Sequence, residues 1–337
     1  MRLFWQTLLV SLALGLGCLY LVLPETFDRE TLRTLAVLGV PQLALLVAVL
    51  ALRWLVGGWR TTLLVRFSGA PLTLWGGVRA HLVGVFASVV TPSGGGNAVG
   101  LSWYLTRYGV PLQNAVIASL LIAVLDMAFF AWSVPVAFLY LLRADTPLPV
   151  AGLGWLVAVF AVVILTLSLL LTFRLRLFIG GVSALFRLPG LRRFAAKTTG
   201  FLENLETASH TFARAPWPVH FGLHSCTALF WLVNFVFLNA VAAALRLGAP
   251  QLELLASYIL IHAFAFAIPT PGASGYMEGA LSLALAGRAT PQAVSTTVII
   301  WRSLSYYLYF ILGPLISGRA LVRGVTARTF RGSGQSK

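Results

Sequence analysis

The chain is short of charge. Only 10% of its 337 residues are Asp, Glu, Lys or Arg, against about 25% in an ordinary soluble domain. A soluble protein of this length needs a polar surface that these residues cannot supply. Acidic side chains are scarcest, with nine Asp and Glu against 24 Lys and Arg. The two cysteines, Cys18 and Cys226, lie inside apolar runs and frame neither a disulfide scaffold nor a metal motif. The five histidines are scattered, with no HExxH and no Cys/His cluster, so neither a metal nor another cofactor is expected. A nucleotide-binding loop and an Asp-rich phosphatidyltransferase motif are both missing, so an enzyme is not the expected class.

What is present is apolar. Hydrophobic residues make up 59% of the chain and aromatics 12%, the opposite of a disordered composition. The runs are uninterrupted over about 20 residues, the length of a membrane-spanning helix. They lack the alternating ten-residue pattern of a membrane β-barrel. The expected fold is therefore an all-α polytopic membrane protein forming one integral membrane domain over 1–337. Net charge is +15, and the bases flank apolar spans. An anionic bilayer surface is thus the expected partner, and nucleic acid is not.

About six full spans are expected, near 3–23, 35–56, 112–142, 151–173, 217–245 and 291–316. Arg2 and the run behind it resemble a signal peptide, but no small-residue cleavage site precedes Pro24, so an uncleaved span is expected. The run 112–142 contains Pro135 and exceeds a 30 Å core at about 1.5 Å per residue, so it should tilt, kink or protrude. Lys and Arg mark the cytoplasmic side. That rule places both termini, 57–71 (with Arg53, Arg60 and Arg66 around it) and 174–216 inside the cell. It places 24–34, 143–150 and 246–251 outside. The stretch 176–212 reads as a basic amphipathic segment on the inner leaflet, and 317–337 as a basic cytoplasmic tail. The expected location is the cytoplasmic membrane.

Two segments, 72–107 and 252–287, each consist of an apolar arm, a Pro/Gly break and a second short arm. Each could make two full crossings, but the second arms, 94–107 and 274–287, are short for that, so two re-entrant hairpins are the favoured expectation. The segments resemble each other. Thr91-Pro92-Ser93-Gly94-Gly95-Gly96 aligns with Thr270-Pro271-Gly272-Ala273-Ser274-Gly275 at an offset of 179. By the side count one hairpin enters from inside and the other from outside. The expected organisation is an inverted repeat, 72–142 against 252–316, and broken helices in matching positions of two halves point to a transport site.

The run PTPGASGYMEGALSLAL, followed by TTVIIWRSLSYYLYFILGPLISG, resembles the flippase-like family of the lysylphosphatidylglycerol synthase transmembrane region. The residues that carry the likeness are Pro269 to Gly272, Glu278, Arg302, Tyr306 and Tyr307, with Thr91 to Gly96 and Arg107 to Pro111 in the first half. Where many members carry charged residues after the first break and on the next span, this chain has Asn97, Val99 and Ala123, and only Asp126 remains. The soluble aminoacyl-transfer domain of the synthases is not expected within these 337 residues. The resemblance therefore implies the lipid-translocating part alone, acting on an anionic phospholipid or a polyprenyl-phosphate-type lipid. The protein partners expected of the chain are a lipid-synthesis enzyme or a second copy.

Four ionisable residues sit inside apolar segments: Arg79, Asp126, Glu278 and Arg302. Each costs roughly 2.5–3.5 kcal/mol at mid-membrane and so marks a functional candidate. Arg302 is read either as a phosphate ligand or as the partner of Glu278 in a structural lock, and Asp126 as a partner of Arg79, unless Arg79 lies near the cytoplasmic rim and snorkels. The break residues Ser93, Gly94, Gly95, Gly96 and Asn97, with Thr270, Pro271, Gly272, Ser274 and Gly275 opposite, could present free N–H groups to a phosphate. Close helix packing selects small residues equally well. Tyr306 joins the candidates through the resemblance, although it also reads as a packing residue, as do His81 and His262. Two other functions fit less of the sequence. One is a lipid-linked glycosyl or headgroup transferase using Asp28 and Glu30 of the first external loop. The other is a non-transporting accessory of a lipid-synthesis enzyme.

Overall fold

The computed structural model describes residues 38–92, 94–144, 146–174 and 212–318, with a few isolated positions between 9 and 20. The described chain is helical, and its isolated β-bridge joins Pro92 to Pro271. Helix α1 spans Val40–Phe67, with Pro41 in its first turn, where a missing N–H costs nothing. The first hairpin is α2 (Leu74–Val90) and α3 (Gly96–Arg107), followed by α4 (Leu112–Leu141). A 3₁₀ turn, Val150–Leu153, leads into α5 (Gly154–Phe173). Helix α6 (Trp217–Ala244) precedes the second hairpin, α7 (Gln251–Ala265) and α8 (Tyr276–Leu285). Helix α9 (Pro291–Arg302) passes through a π turn, Ser303–Tyr307, and the helical run continues to Gly318.

Five of these helical runs are long and apolar enough to cross a membrane: Val40–Phe67, Leu112–Leu141, Val150–Phe173, Trp217–Ala244 and Pro291–Gly318. The chain is an all-α polytopic membrane protein. The span expected near 3–23, the external loop 24–34, the basic segment 176–212 (Phe212 apart) and the tail beyond Gly318 lie outside the described residues. Pro135 does not end α4, which runs through it for 30 residues.

One expectation is corrected. Residues 57–67 are not a cytoplasmic connection but the last three turns of α1, and the loop to α2 is only 68–73. Arg53 and Arg60 stay helical because they are buried against partners on other helices, and seven residues apart they share one helix face. Arg66, in the last turn, is exposed and donates from Nε to the Leu72 carbonyl.

The order helix, hairpin, helix occurs twice, as α1 to α4 and as α6 to α9, with α5 between them. Two large buried clusters follow the halves only in part, since α1 and α4 also contribute Leu46, Leu50, Phe130 and Val134 to the second. Leu64, Leu101, Leu105, Leu121 and Leu125 centre the first, and Phe237, Leu238, Leu281 and Val298 the second. A third cluster packs Phe86 and Val89 of α2 against Tyr306 and Tyr309, so the first hairpin is held by the last helix. Outward faces are equally apolar. Val40, Val47, Trp155 and Val162 are all more than half exposed, as befits helices whose solvent is lipid.

The two hairpins are packed by different means. In the first, α2 and α3 approach closely because Gly96 and Gly100 face Ala87. A Cβ on either glycine would overlap the Ala87 carbonyl or methyl. Thr91 closes the break by accepting from Gly96 N at 2.7 Å and donating to the Ala87 carbonyl at 2.8 Å. In the second, the backbone is wound tightly: Gly272, Ala273 and Gly275 all adopt the left-handed region, which strains a non-glycine such as Ala273.

Candidate functional site

Helix α9 carries the group that holds the strained second break. Arg302, 3% exposed, donates from Nε to Glu278 Oε1 at 2.6 Å. Its Nη2 donates to the Gly272 carbonyl at 3.0 Å and to Ser274 Oγ at 2.9 Å. Glu278 is fully buried, and its second oxygen accepts from Gly275 N at 2.8 Å, as an N-terminal cap of α8. The guanidinium lies 4.3 Å from the centre of the Tyr306 ring. That ring presses on Gly272, where a Cβ would overlap it. Arg302, Glu278, Gly272, Ser274, Gly275 and Tyr306, all candidates from sequence, thus form one bonded unit. The tip it shapes meets the first tip through the Pro92–Pro271 bridge.

Behind the tips lies a cavity of about 420 Å³ between the two halves. Gly94, Gly95, Asn97, Asp126, Gly272, Arg302 and Tyr306 are the sequence candidates that line it. Glu278, Ser274 and Gly275 stand just behind that wall through their bonds to Arg302 and to one another. Ser93 lies outside the described residues.

Two expectations are corrected here. Asp126 pairs not with Arg79 but with Arg60, at 2.6 Å. Arg79 is exposed on α2, where a long side chain can reach polar surroundings, whereas Arg60 comes from the facing α1 and is 4% exposed. Asp126 Oδ1 also accepts from Trp231 Nε1 at 2.6 Å, so α1, α4 and α6 are joined at one carboxylate. Most break residues, moreover, do not offer free amides. The N–H groups of Gly94, Gly95, Gly96, Ser274 and Gly275 are all bonded within their own breaks. At these five positions the tips shape the cavity rather than supply donors to it.

Sequence reasoning missed Arg53. It lies on α1 one turn before Gly57, is 8% exposed and lines the cavity. Its Nε donates to Asn234 Oδ1 at 3.1 Å, and its guanidinium sits 4.6 Å from the Phe237 ring centre. The available clue was the spacing Arg53, Gly57, Arg60, one helical face with a small residue between two bases. Gly57 is needed there, since a Cβ would run into the His81 ring. His262, the other sequence-marked histidine, is ringed by Phe130, Trp231, Phe235, Tyr258 and Phe266. It too faces the cavity.

Among the described residues no three His, Cys, Asp or Glu side chains gather at one point. The chemistry of the cavity is that of guanidiniums, amides and aromatic faces, which suits recognition of an anion.

The family model of the lysylphosphatidylglycerol synthase TM region matches residues 8–313. The chain belongs to that family. Its match covers both hairpins, all five described spans up to Gly313 and every candidate residue above. Members are membrane domains linked to lipid biosynthesis or flipping. No curated protein matches the chain.

Proposed function

We propose that this membrane protein translocates a lipid with an anionic headgroup, of the phospholipid or polyprenyl-phosphate type, across the cytoplasmic membrane. The headgroup passes through the cavity while the acyl chains stay among the outward apolar faces. The observation that carries the reading is the cavity itself. It is walled by the tips of two hairpins whose arms, at 17, 12, 15 and 10 residues, are shorter than a full crossing needs. It is also lined by three arginines, which could replace the water that a phosphate loses on leaving the surface. The Arg302–Glu278 pair is the hinge pin of the second tip in this scheme. Both termini are cytoplasmic and the loop 246–251 external, so Gly248→Cys in a cysteine-free background should react with an impermeant thiol reagent from outside.

The test is reconstitution. Vesicles holding the protein and fluorescent phosphatidylglycerol should lose inner-leaflet label to an external quencher faster than protein-free vesicles. Rates equal to protein-free vesicles for every anionic lipid tried would overturn the proposal. The transferase alternative draws on residues 24–34, outside the described residues, and nothing described favours it.

A further inference from the structure

We propose that Arg53 is the residue that binds the anion, and that the cavity is matched in charge to a monoanionic phosphodiester rather than to a phosphomonoester. The identity of the ligand as a lipid rests on the translocation reading; the binding site does not.

The three arginines of the cavity differ in what they already hold. Arg302 has three hydrogen bonds, including one to a carboxylate. Arg60 has Asp126 and the Ile122 carbonyl. Arg53 has the neutral side chain of Asn234 and a ring face, and its Nη1 has no hydrogen-bond partner. Among the described residues the ion pairs are Arg60–Asp126, Arg288–Glu253 and Arg302–Glu278, and none includes Arg53. A charge more than nine-tenths buried, on a residue that lines a cavity, without a counter-ion and with an unsatisfied buried donor, is a site waiting for an anion. A second unsatisfied buried donor, Arg60 Nε, belongs to another arginine of the same lining.

Charge counting fixes the class. Around the cavity stand Arg53, Arg60 and Arg302 against Asp126 and Glu278, leaving one positive charge. A phosphodiester carries one negative charge and neutralises it. A phosphomonoester carries about 1.5 to 2 at pH 7 and would leave an excess buried negative charge. A zwitterionic headgroup would bring its own cation against the two paired arginines. The planar guanidinium can also engage two oxygens of a diester at once, which lysine cannot.

Arg53 has a structural alternative: it could simply dock α1 onto α6 through Asn234 and Phe237. The two roles predict opposite effects on the empty protein. A docking bond stabilises, so its loss lowers the unfolding temperature. An uncompensated buried charge destabilises, so replacing it by a neutral side chain of similar length leaves that temperature unchanged or higher.

The experiment uses the full chain in a neutral detergent, titrated calorimetrically with four probes: short-chain phosphatidylglycerol, short-chain phosphatidate, short-chain phosphatidylcholine and tail-less dimethyl phosphate. Phosphatidylglycerol should bind at least tenfold tighter than each of the other three. Arg53→Gln should weaken it tenfold to a hundredfold, Arg53→Lys should recover only part, and the empty Arg53→Gln protein should melt no lower than wild type. Unchanged phosphatidylglycerol affinity in Arg53→Gln, or a lower melting temperature for that empty variant, would overturn the assignment of Arg53. Equal affinity for phosphatidate would overturn the charge match, and equal affinity for dimethyl phosphate would overturn a lipid as the source. Arg53-dependent binding without lipid movement in vesicles would sink the translocation reading and leave the site standing. Lipid movement with Arg53-independent binding would do the reverse.

Discussion

Replacing Arg302 by glutamine should destabilise the protein by about 3–5 kcal/mol, the usual result of removing one partner of a buried ion pair. The structure gives the reason for each part. The variant loses the 2.6 Å bond to Glu278 and strands that carboxylate at 0% exposure, with Gly275 N as its remaining described donor. It also loses the donors to the Gly272 carbonyl and Ser274 Oγ, which hold a turn whose residues 272, 273 and 275 are left-handed. Most of the cost is the uncompensated charge, so a second substitution, Glu278→Gln, should restore part of the loss. Thermal unfolding in detergent measures both variants. The single variant should melt lower by about 6–10 °C, scaling from about 2 °C per kcal/mol for large domains, and the double variant should lie between it and wild type. A single variant melting with wild type would refute the lock. A double variant below the single one would show that the hydrogen bonds, and not the charge balance, dominate.

Gly272→Ala should cost about 1–3 kcal/mol, because its φ is +57° and its Cβ would overlap the Tyr306 ring; pairing it with Tyr306→Ala should not recover wild-type stability, since the backbone strain remains. Gly100→Val should separate α2 from α3, as a Cβ there already overlaps Ala87; limited proteolysis within the first hairpin should then speed up while the second hairpin is untouched. Asp126→Ala should break the junction of α1, α4 and α6 and leave Arg60 unpaired. Removing the partner should again cost about 3–5 kcal/mol. In a background with Trp231 as sole tryptophan its emission should shift, and an unmoved spectrum would contradict the Trp231–Asp126 bond.

The helices were legible in the sequence because membrane spans announce themselves by length. The runs at 112–142, 151–173, 217–245 and 291–316 became helices with ends within two residues of those positions. Glu278 and Arg302 were legible for the same reason, as charges whose depth in apolar segments could be counted. Arg53 and Arg60 were not. Charge counting treats a base near the end of an apolar run as the start of a loop, and what keeps these two inside lies far along the chain, at Asn234 and Asp126. Arg79 failed in the opposite direction, since its helix turns it outward, and a face cannot be assigned without knowing the neighbours. The break glycines carried two readings, amide donors or close packing. Only the bonding of Gly96 to Thr91 and of Gly275 to Glu278 separates them, and both show packing and capping.

The most direct test of the central claim is to fill the cavity without disturbing its charges. Ala123 lines it from α4, and Ala123→Trp would place a large ring in its volume of about 420 Å³. In vesicles with fluorescent phosphatidylglycerol, the plugged protein should move lipid no faster than protein-free vesicles do. It should still melt within a few degrees of wild type, because the ring enters open space and not a packed core. A stable Ala123→Trp protein that moves lipid at the wild-type rate would show that headgroups do not pass between the hairpin tips.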